Sequence, residues 1–254
     1  MTDAPTTDPS SPSATEPAGA GPSPTSYRIE GDVGVISLDD GKANALGFEA
    51  IGGLNAALDR AEADGVKAVA LVGRPGKFSA GFDLKVMTSG ADSARQLLGA
   101  GAELGLRIFM FSRPVVLGVT GHALAMGGIL TACADWRVAA EGEFKLGLNE
   151  VAIGMPVPVF GVELCRNRLS KRWFDRCVAQ AYLCSPTEAV EAGFVDEVVG
   201  ADEVTARTLA KAAELAATLH AGPFQLTRTN CRSALAAELR ESLTADLELF
   251  DVVT

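Results

Sequence analysis

The sequence predicts an α/β fold in which helices alternate with the strands of a parallel sheet. Apolar residues recur at helical spacing over 47–63, and the short apolar run at 68–72, which ends at Gly73, follows as a buried strand. A long amphipathic helix is predicted over 91–111, before another buried strand at 115–119. Helices that alternate with strands in this order are typical of βαβ units, whose strands lie parallel.

The N-terminal end is predicted to contain a tail and a hairpin. Residues 1–26 are almost entirely Pro, Ser, Thr, Ala, Gly and acidic residues. Such a segment cannot bury enough apolar surface to offset the loss of chain entropy, so we expect it to be disordered. Residues 27–38 alternate between apolar and polar side chains on both sides of Gly31-Asp32, which predicts a β-hairpin.

The C-terminal part is predicted to be largely helical. Ser185-Pro186-Thr187-Glu188 combines a capping box with proline at the first helical position, so it predicts the start of a helix that ends at Gly193. Residues 194–199 return as an extended segment. Two amphipathic helices are predicted to follow, over 203–219 and 223–250.

Composition and charge exclude several classes of partner. The chain has 254 residues, 48% hydrophobic and 21% charged, which suits one globular domain with a sizeable core. Its net charge of −10 argues against binding to nucleic acid or to an anionic membrane surface. The sequence has neither an apolar run of membrane-spanning length nor a signal-peptide pattern at its start, so we expect a cytoplasmic protein.

No metal site is predicted. The two histidines, His122 and His220, lie far apart and have no neighbouring ligand at metal-binding spacing. His122 lies beside a glycine-rich turn, where local packing is favoured over a role in an active site. The five cysteines lack CxxC spacing and mostly lie among apolar residues, which predicts buried free thiols. They are Cys133, Cys165, Cys177, Cys184 and Cys231.

One carboxylate dominates the stretch 121–156, GHALAMGGILTACADWRVAAEGEFKLGLNEVAIGMP. Glu150 is flanked by Leu148 and Val151, so we expect it to lie in a wall of low dielectric. Such surroundings favour the protonated form and raise the pKa of a carboxyl group. Glu150 is therefore a candidate general base, and a salt-bridged structural glutamate is the alternative.

Small residues at two turns predict an oxyanion hole. They are Ala80-Gly81 within KFSAGFDLK and Ala125-Met126-Gly127-Gly128 within GHALAMGG. Where the chain turns tightly, backbone N–H groups can point into a cavity instead of pairing in a sheet. Two such donors on one oxygen stabilise a transition state by roughly 3–4 kcal/mol each. Simple tight packing is the alternative interpretation of these turns.

These motifs together resemble the crotonase family, also called the enoyl-CoA hydratase/isomerase superfamily. KFSAGFDLK, GHALAMGG, ACADWRVA and GLNEVAIGMP occur in the family's order, and the resemblance covers 27–199. It implies an α/β, crotonase-like ββα-superhelix (spiral) fold, with a spiral core at 27–200 and a C-terminal helical region at 201–254. It also implies a homotrimer, or a hexamer formed by two trimers.

The resemblance further implies roles for individual residues. The backbone N–H groups of Phe82 and Met126 would bind the thioester oxygen, and the identity of their side chains would matter little. Glu150 would move the proton. Coenzyme A would be part of an acyl-CoA or enoyl-CoA substrate, with no permanently bound cofactor. The positions that would contact its CoA moiety are Lys42, Ala43, Ala80, Asp83 and Leu84.

The glutamates decide which reaction is favoured. Hydratases of the family use two carboxylates, but here Ile129 occupies the first position and only Glu150, the second, is present. One carboxylate can carry a proton from C2 to C4, which favours isomerisation of 3-enoyl-CoA to 2-enoyl-CoA. Three alternatives stay open: an enoyl-CoA hydratase of fatty-acid β-oxidation with Glu163 as second acid, a thioesterase, and a non-catalytic acyl-CoA-binding protein.

Overall fold

The computed structural model describes residues 23–249, and regular structure begins close to the first of them. The first strand starts at Thr25, which pairs with Leu38. The prediction of a disordered tail over 1–26 is therefore wrong at its end, because backbone pairing extends the hairpin into this segment. Residues 1–22 of the predicted tail lie outside the described residues.

The described chain consists of short strands separated by helices. The strands are β1 (Thr25–Glu30), β2 (Val33–Leu38), β3 (Ala45–Leu46), β4 (Ala68–Val72), β5 (Gly76–Ser79), β6 (Gly81–Phe82), β7 (Val115–Val119), β8 (Gly121–Leu124), β9 (Trp136–Ala140), β10 (Leu146–Gly147) and β11 (Glu197–Val199). The helices are α1 (Phe48–Ala63), α2 (Leu84–Met87), α3 (Ala91–Met110), α4 (Met126–Cys133), α5 (Val159–Arg168), α6 (Lys171–Val178), α7 (Pro186–Ala192), α8 (Val204–Thr218) and α9 (Ala221–Leu249). A short 3₁₀ turn, Val151–Ile153, follows β10. Within 23–249, no helix is both long and apolar enough to cross a membrane.

The strands form one large sheet and two small sheets, and the two turns predicted to form the oxyanion hole lie beside strands of the small sheets. The large sheet has six strands in the order β1-β2-β4-β7-β9-β11, and beyond the antiparallel β1–β2 hairpin its neighbours are parallel, as predicted. The small sheets, β10-β8-β5 and β3-β6, are also parallel. Ser79 lies opposite Ala123, so the segments that follow β5 and β8 run side by side.

Most predicted elements are confirmed within one or two residues. Strands β4 and β7 are buried along their whole length, as their unbroken apolar sequences predict. Ser185 and Glu188 form the predicted capping box, and α7 ends at Gly193 in the left-handed conformation. Strand β10 covers two residues, Leu146–Gly147. It ends at Gly147, where φ is +140° and the chain changes direction.

The cysteines follow the prediction with one exception. Cys133, Cys165, Cys177 and Cys184 are buried free thiols. Cys231 is exposed, because it lies on the face of α9 that points away from the core. The expectation of a buried thiol is wrong at this position.

Asp135 connects three parts of the core. Its carboxylate accepts a hydrogen bond from Val115 N–H (2.8 Å), which fixes the start of β7 beside the end of α4. It also pairs with two arginines of α9, Arg228 (2.6 Å) and Arg232 (3.1 Å). The ion pairs additionally attach the C-terminal helix to the sheet.

We predict that Asp135→Ala lowers the free energy of unfolding by about 3 kcal/mol or more, measured by urea denaturation, because it leaves the buried Arg228 guanidinium without its counter-charge. Glu103→Ala is the matched control. It removes an ion pair between α3 and α9, with Arg240 at 3.6 Å, but that pair is exposed and should contribute less than about 1 kcal/mol. Equal effects of the two substitutions would contradict the assigned role of Asp135.

Candidate active site

A largely apolar cavity lies between α2, α3 and the chain that follows β10. Its space, including the open mouth, is about 560 Å³. Among its lining residues, the polar side chains belong to two neighbours, Asn149 and Glu150. The other lining residues are Ala80, Phe82, Leu84, Met87, Leu98, Ala125, Ile153, Met155, Pro156 and Pro158. This composition suits an alkyl chain that carries a reactive polar group at one end.

Glu150 is buried in the wall of this cavity. It stands just before the 3₁₀ turn, where its carbonyl oxygen accepts hydrogen bonds from Ile153 N–H (3.0 Å) and Met155 N–H (2.9 Å), which fixes the backbone. The residue is 6% exposed, and no group of the described chain donates to its Oε2. Burial removes water from the carboxylate and raises its pKa from the ordinary 4.5 to about 7, as its apolar neighbours predict.

Asn149 is a polar group of the cavity that sequence reasoning missed. Its Oδ1 is buried, and within 23–249 no group donates a hydrogen bond to it. A buried acceptor without a partner costs roughly 1–3 kcal/mol, so such a group is expected to serve a ligand or a water molecule. The signal was present in the sequence, because Asn149 directly precedes the candidate base in an apolar segment.

The two predicted turns pack directly against each other. Gly81 has φ +93°, and a Cβ at this position would lie 2.6 Å from Ala125 Cβ and 3.3 Å from Met126 N. Only glycine allows both the left-handed backbone and this close approach. The nitrogen of Met126 and the backbone of residue 81 are therefore neighbours, so donors from the two turns can converge.

Backbone geometry also orients the donors. Ala125 adopts φ 51° and ψ −124°, a conformation that alanine rarely takes and that typically costs about 1–3 kcal/mol. Met126 then begins α4, so its N–H lies at the positive end of that helix, and it has no hydrogen-bond acceptor among the described residues. Asp83 N–H donates to Leu46 O (3.2 Å) on β3, so we expect the preceding Phe82 N–H to face the opposite side.

Neither Ile129, at the position where the resemblance expects the first glutamate, nor Glu163, the candidate second acid, lines the cavity. Ile129, at the position of the missing glutamate, is fully buried, and its side chain packs against Gly161 of α5. It is not part of the cavity wall. Glu163 binds Arg166 on the same helix (3.0 Å) and also lies outside the lining.

The positions predicted to contact CoA fall into two adjoining places. Ala80 and Leu84 line the cavity itself. Lys42, Ala43 and Asp83 line a groove beside it. Asp83 also caps α2, because its Oδ1 accepts a hydrogen bond from Lys85 N–H (2.9 Å).

His122 packs locally, as the sequence favoured. Its Nδ1 accepts a hydrogen bond from Lys145 N–H (3.1 Å), and its ring meets Phe144 edge to face. It is not among the residues that line the cavity. Within the part of the chain that the structure describes, no group of three or more His, Cys, Asp or Glu side chains is arranged to hold a metal ion.

Comparisons with known proteins point to one family. A family model described as enoyl-CoA hydratase/isomerase matches residues 28–254. The chain is 32% identical over 224 residues to enoyl-CoA delta isomerase 1, mitochondrial, of Mus musculus, covering 86% of this chain and 76% of that protein. An enoyl-CoA hydratase/isomerase family protein of Pseudomonas syringae superposes with a TM-score of 0.87 at 38% identity, covering 90% of this chain and 98% of that one. The apo enoyl-CoA isomerase of Mycobacterium tuberculosis superposes with a TM-score of 0.86 at 36% identity, covering 90% of this chain and 99% of that one.

We predict that Glu150→Gln raises the free energy of unfolding by about 3 kcal/mol at pH values above about 7, because ionised Glu150 destabilises the folded state. In the native protein the pKa is raised, so this penalty is absent below the ordinary pKa of 4.5 and grows as the pH rises to about 7. The stability gap between variant and parent should therefore close on acidification. Urea denaturation across this pH range measures it, and a gap independent of pH would contradict the assigned pKa.

Proposed function

The chain belongs to the enoyl-CoA hydratase/isomerase family, and we propose that it converts 3-enoyl-CoA thioesters to 2-enoyl-CoA thioesters. Members of this family are crotonase-type enzymes that act on CoA thioesters. The observation that carries the proposal is that Glu150 is the one carboxylate among the residues described as lining the cavity. Isomerisation needs one group that takes and returns a proton, and a single carboxylate meets that need.

The proposed mechanism begins at the two turns. The thioester oxygen accepts hydrogen bonds from Phe82 N–H and Met126 N–H, which stabilise the negative charge that develops when a proton leaves C2. The close contact of Gly81 with Ala125 and Met126 supports this arrangement, because it holds the two donor segments together. Donors fixed in this way need no reorganisation as the charge develops.

Glu150 is proposed to carry the proton. Its carboxylate removes a proton from C2, and the resulting carboxylic acid returns a proton to C4 of the dienolate. A pKa of about 7 suits both steps, because the group is neither strongly acidic nor strongly basic near neutral pH. The apolar residues around it, including Ile153 and Met155, reduce the access of water to the reacting atoms.

Hydration is the second candidate reaction, and Asn149 is the observation that favours it. Asn149 Oδ1 and Glu150 Oε2 are buried acceptors on one cavity wall, and within 23–249 neither receives a hydrogen bond. A water molecule that donates to both would be activated by Glu150. Glu163, which we considered as the second acid, is paired with Arg166 and lies outside the cavity lining. In this candidate Asn149 only orients the water; Glu150 takes a proton from the water as its oxygen adds to C3, and then returns that proton to C2.

Substrate binding and assembly complete the proposal. We propose that the CoA moiety lies along the groove formed by Lys42, Ala43 and Asp83, next to Ala80 and Leu84 at the cavity. No permanently bound cofactor is needed for the proton transfer described. We also propose a homotrimer or a dimer of trimers, which light scattering of the full chain tests directly.

We predict that the purified protein produces conjugated thioester absorbance from a 3-enoyl-CoA, and that Glu150→Gln lowers kcat by a factor on the order of 10³ because it removes the proton carrier. Glu163→Gln is the matched control and should keep the parental rate, since Glu163 pairs with Arg166 away from the cavity.

Other results would favour the other candidates. Loss of conjugation from a 2-enoyl-CoA would support hydration, and release of free CoA would support a thioesterase. Acyl-CoA binding without turnover of any of these substrates would instead support a non-catalytic binding protein.

The pH profile should report the ionisation of Glu150. We predict that kcat/KM for a 3-enoyl-CoA rises with pH and reaches half its plateau near pH 7, because only the ionised form can remove a proton. Asn149→Asp places a second carboxylate beside Glu150, which should shift this midpoint to higher pH through like-charge repulsion. A flat profile, or a midpoint that does not move in Asn149→Asp, would contradict the assignment of Glu150 as base.

A further inference from the structure

Three glycines interrupt the long helix α3, and one of them lies directly behind a wall of the cavity. Glycine is less favourable than alanine inside a helix, so its presence there calls for a steric reason. Gly101 is buried, and a Cβ at this position would overlap Cε1 and Cζ of the Phe82 ring. The absence of a side chain at residue 101 therefore creates a notch in α3, and the Phe82 ring occupies it.

The position of this ring affects the space inside the cavity. Phe82 lines the cavity, and so do Met87 on α2 and Leu98, which lies one helical turn before Gly101. A methyl group at residue 101 would push the ring away from α3, and because the ring is part of the cavity wall, this shift would change the space inside the cavity. Carbon atoms pack at roughly 3.5–4.0 Å, so the ring would have to move by more than about 1 Å.

We propose that Gly101 and Phe82 together determine the length of the acyl chain that the cavity accepts. Gly101 is the positioning residue, since it lets the aromatic ring lie outside the acyl space. This inference rests on the proposed function to the extent that the cavity takes an acyl thioester. Under this proposal the side chain of residue 82 matters for substrate selection as well as its N–H, because its ring lines the cavity.

The matched experiment compares Gly101→Ala with Gly99→Ala in the full chain. Both substitutions add one methyl group to α3, but a Cβ at Gly99 would meet only Leu247 Cδ1, at 3.2 Å, away from the cavity. With 3-dodecenoyl-CoA, Gly101→Ala should lower kcat/KM at least about tenfold, as expected when an apolar pocket loses the space of a methyl group or more. With 3-hexenoyl-CoA its rate should change by less than about twofold, and Gly99→Ala should match the parent with both substrates.

A double-mutant cycle with Phe82→Leu tests the contact itself. The leucine keeps the backbone N–H but lacks the ring edge that fills the notch. Adding Gly101→Ala to Phe82→Leu should therefore leave the ratio of the kcat/KM values for 3-dodecenoyl-CoA and 3-hexenoyl-CoA unchanged. Adding it to the parent should change that ratio about tenfold. Because the double variant has no ring to clash with the methyl group, this comparison holds even where Gly101→Ala alone folds poorly.

A binding measurement separates this inference from the proposed reaction. Calorimetry with saturated hexanoyl-CoA and lauroyl-CoA needs no turnover, so it reports chain selection even where the parent shows no isomerisation. Weaker binding of lauroyl-CoA alone in Gly101→Ala supports the inference. An equal loss with both chain lengths, in binding or in kcat/KM, would overturn it, because the ring shift would then disturb the Phe82 N–H instead of the acyl space. Affinities of Gly101→Ala that equal those of the parent for both acyl-CoA thioesters would also overturn it.

Discussion

The site depends on one close contact between two segments of backbone. Gly81 meets Ala125 and Met126 at distances that exclude any side chain at residue 81. The pairing of β5 with β8 brings the two segments together, and the left-handed backbone at Gly81 together with the rare conformation at Ala125 turns them toward each other. Local backbone strain of this kind persists only where the surrounding packing overdetermines it, and both turns are held by parallel sheets.

The same packing determines the electrostatics of Glu150. A wall tight enough to hold the donor turns also keeps water from the carboxylate. Its pKa rises because of this burial, and hydrogen bonds from the backbone of Glu150 and Asn149 oppose the rise only in part. The raised pKa has a cost in stability near neutral pH. Asp196 bears a similar cost, because burial raises its pKa to about 6, whereas the half-buried Asp135 is paired with Arg228 and Arg232.

Sequence reasoning succeeded mainly where a property is local and failed mainly where it depends on distant contacts. Strands β4 and β7 follow from their unbroken apolar sequences, and both were predicted. The burial of Glu150 was also predicted, but it depends on packing from elsewhere in the chain, because Val151 and Ile153 are themselves exposed. The start of β1 depends on pairing with Leu38, and the notch at Gly101 depends on Phe82, nineteen positions earlier on another element. Motif resemblance located Phe82 and Met126 as candidate donors, but it carried no information on how their side chains pack.

The packing of Ile129 connects the missing glutamate to the acid–base behaviour of the remaining one. Ile129 is buried beside Gly161, outside the cavity lining, which leaves no room there for an ionised carboxylate and its water. In the proposed isomerisation, the proton that Glu150 removes must be returned by Glu150 itself. A carboxylate with an ordinary pKa is a weak base and, once protonated, gives its proton up readily to water. Burial raises the pKa of Glu150 and so makes its carboxylate a stronger base. The apolar wall around it limits the loss of the proton to water. The loss of one carboxylate and the raised pKa of the other are therefore parts of a single arrangement.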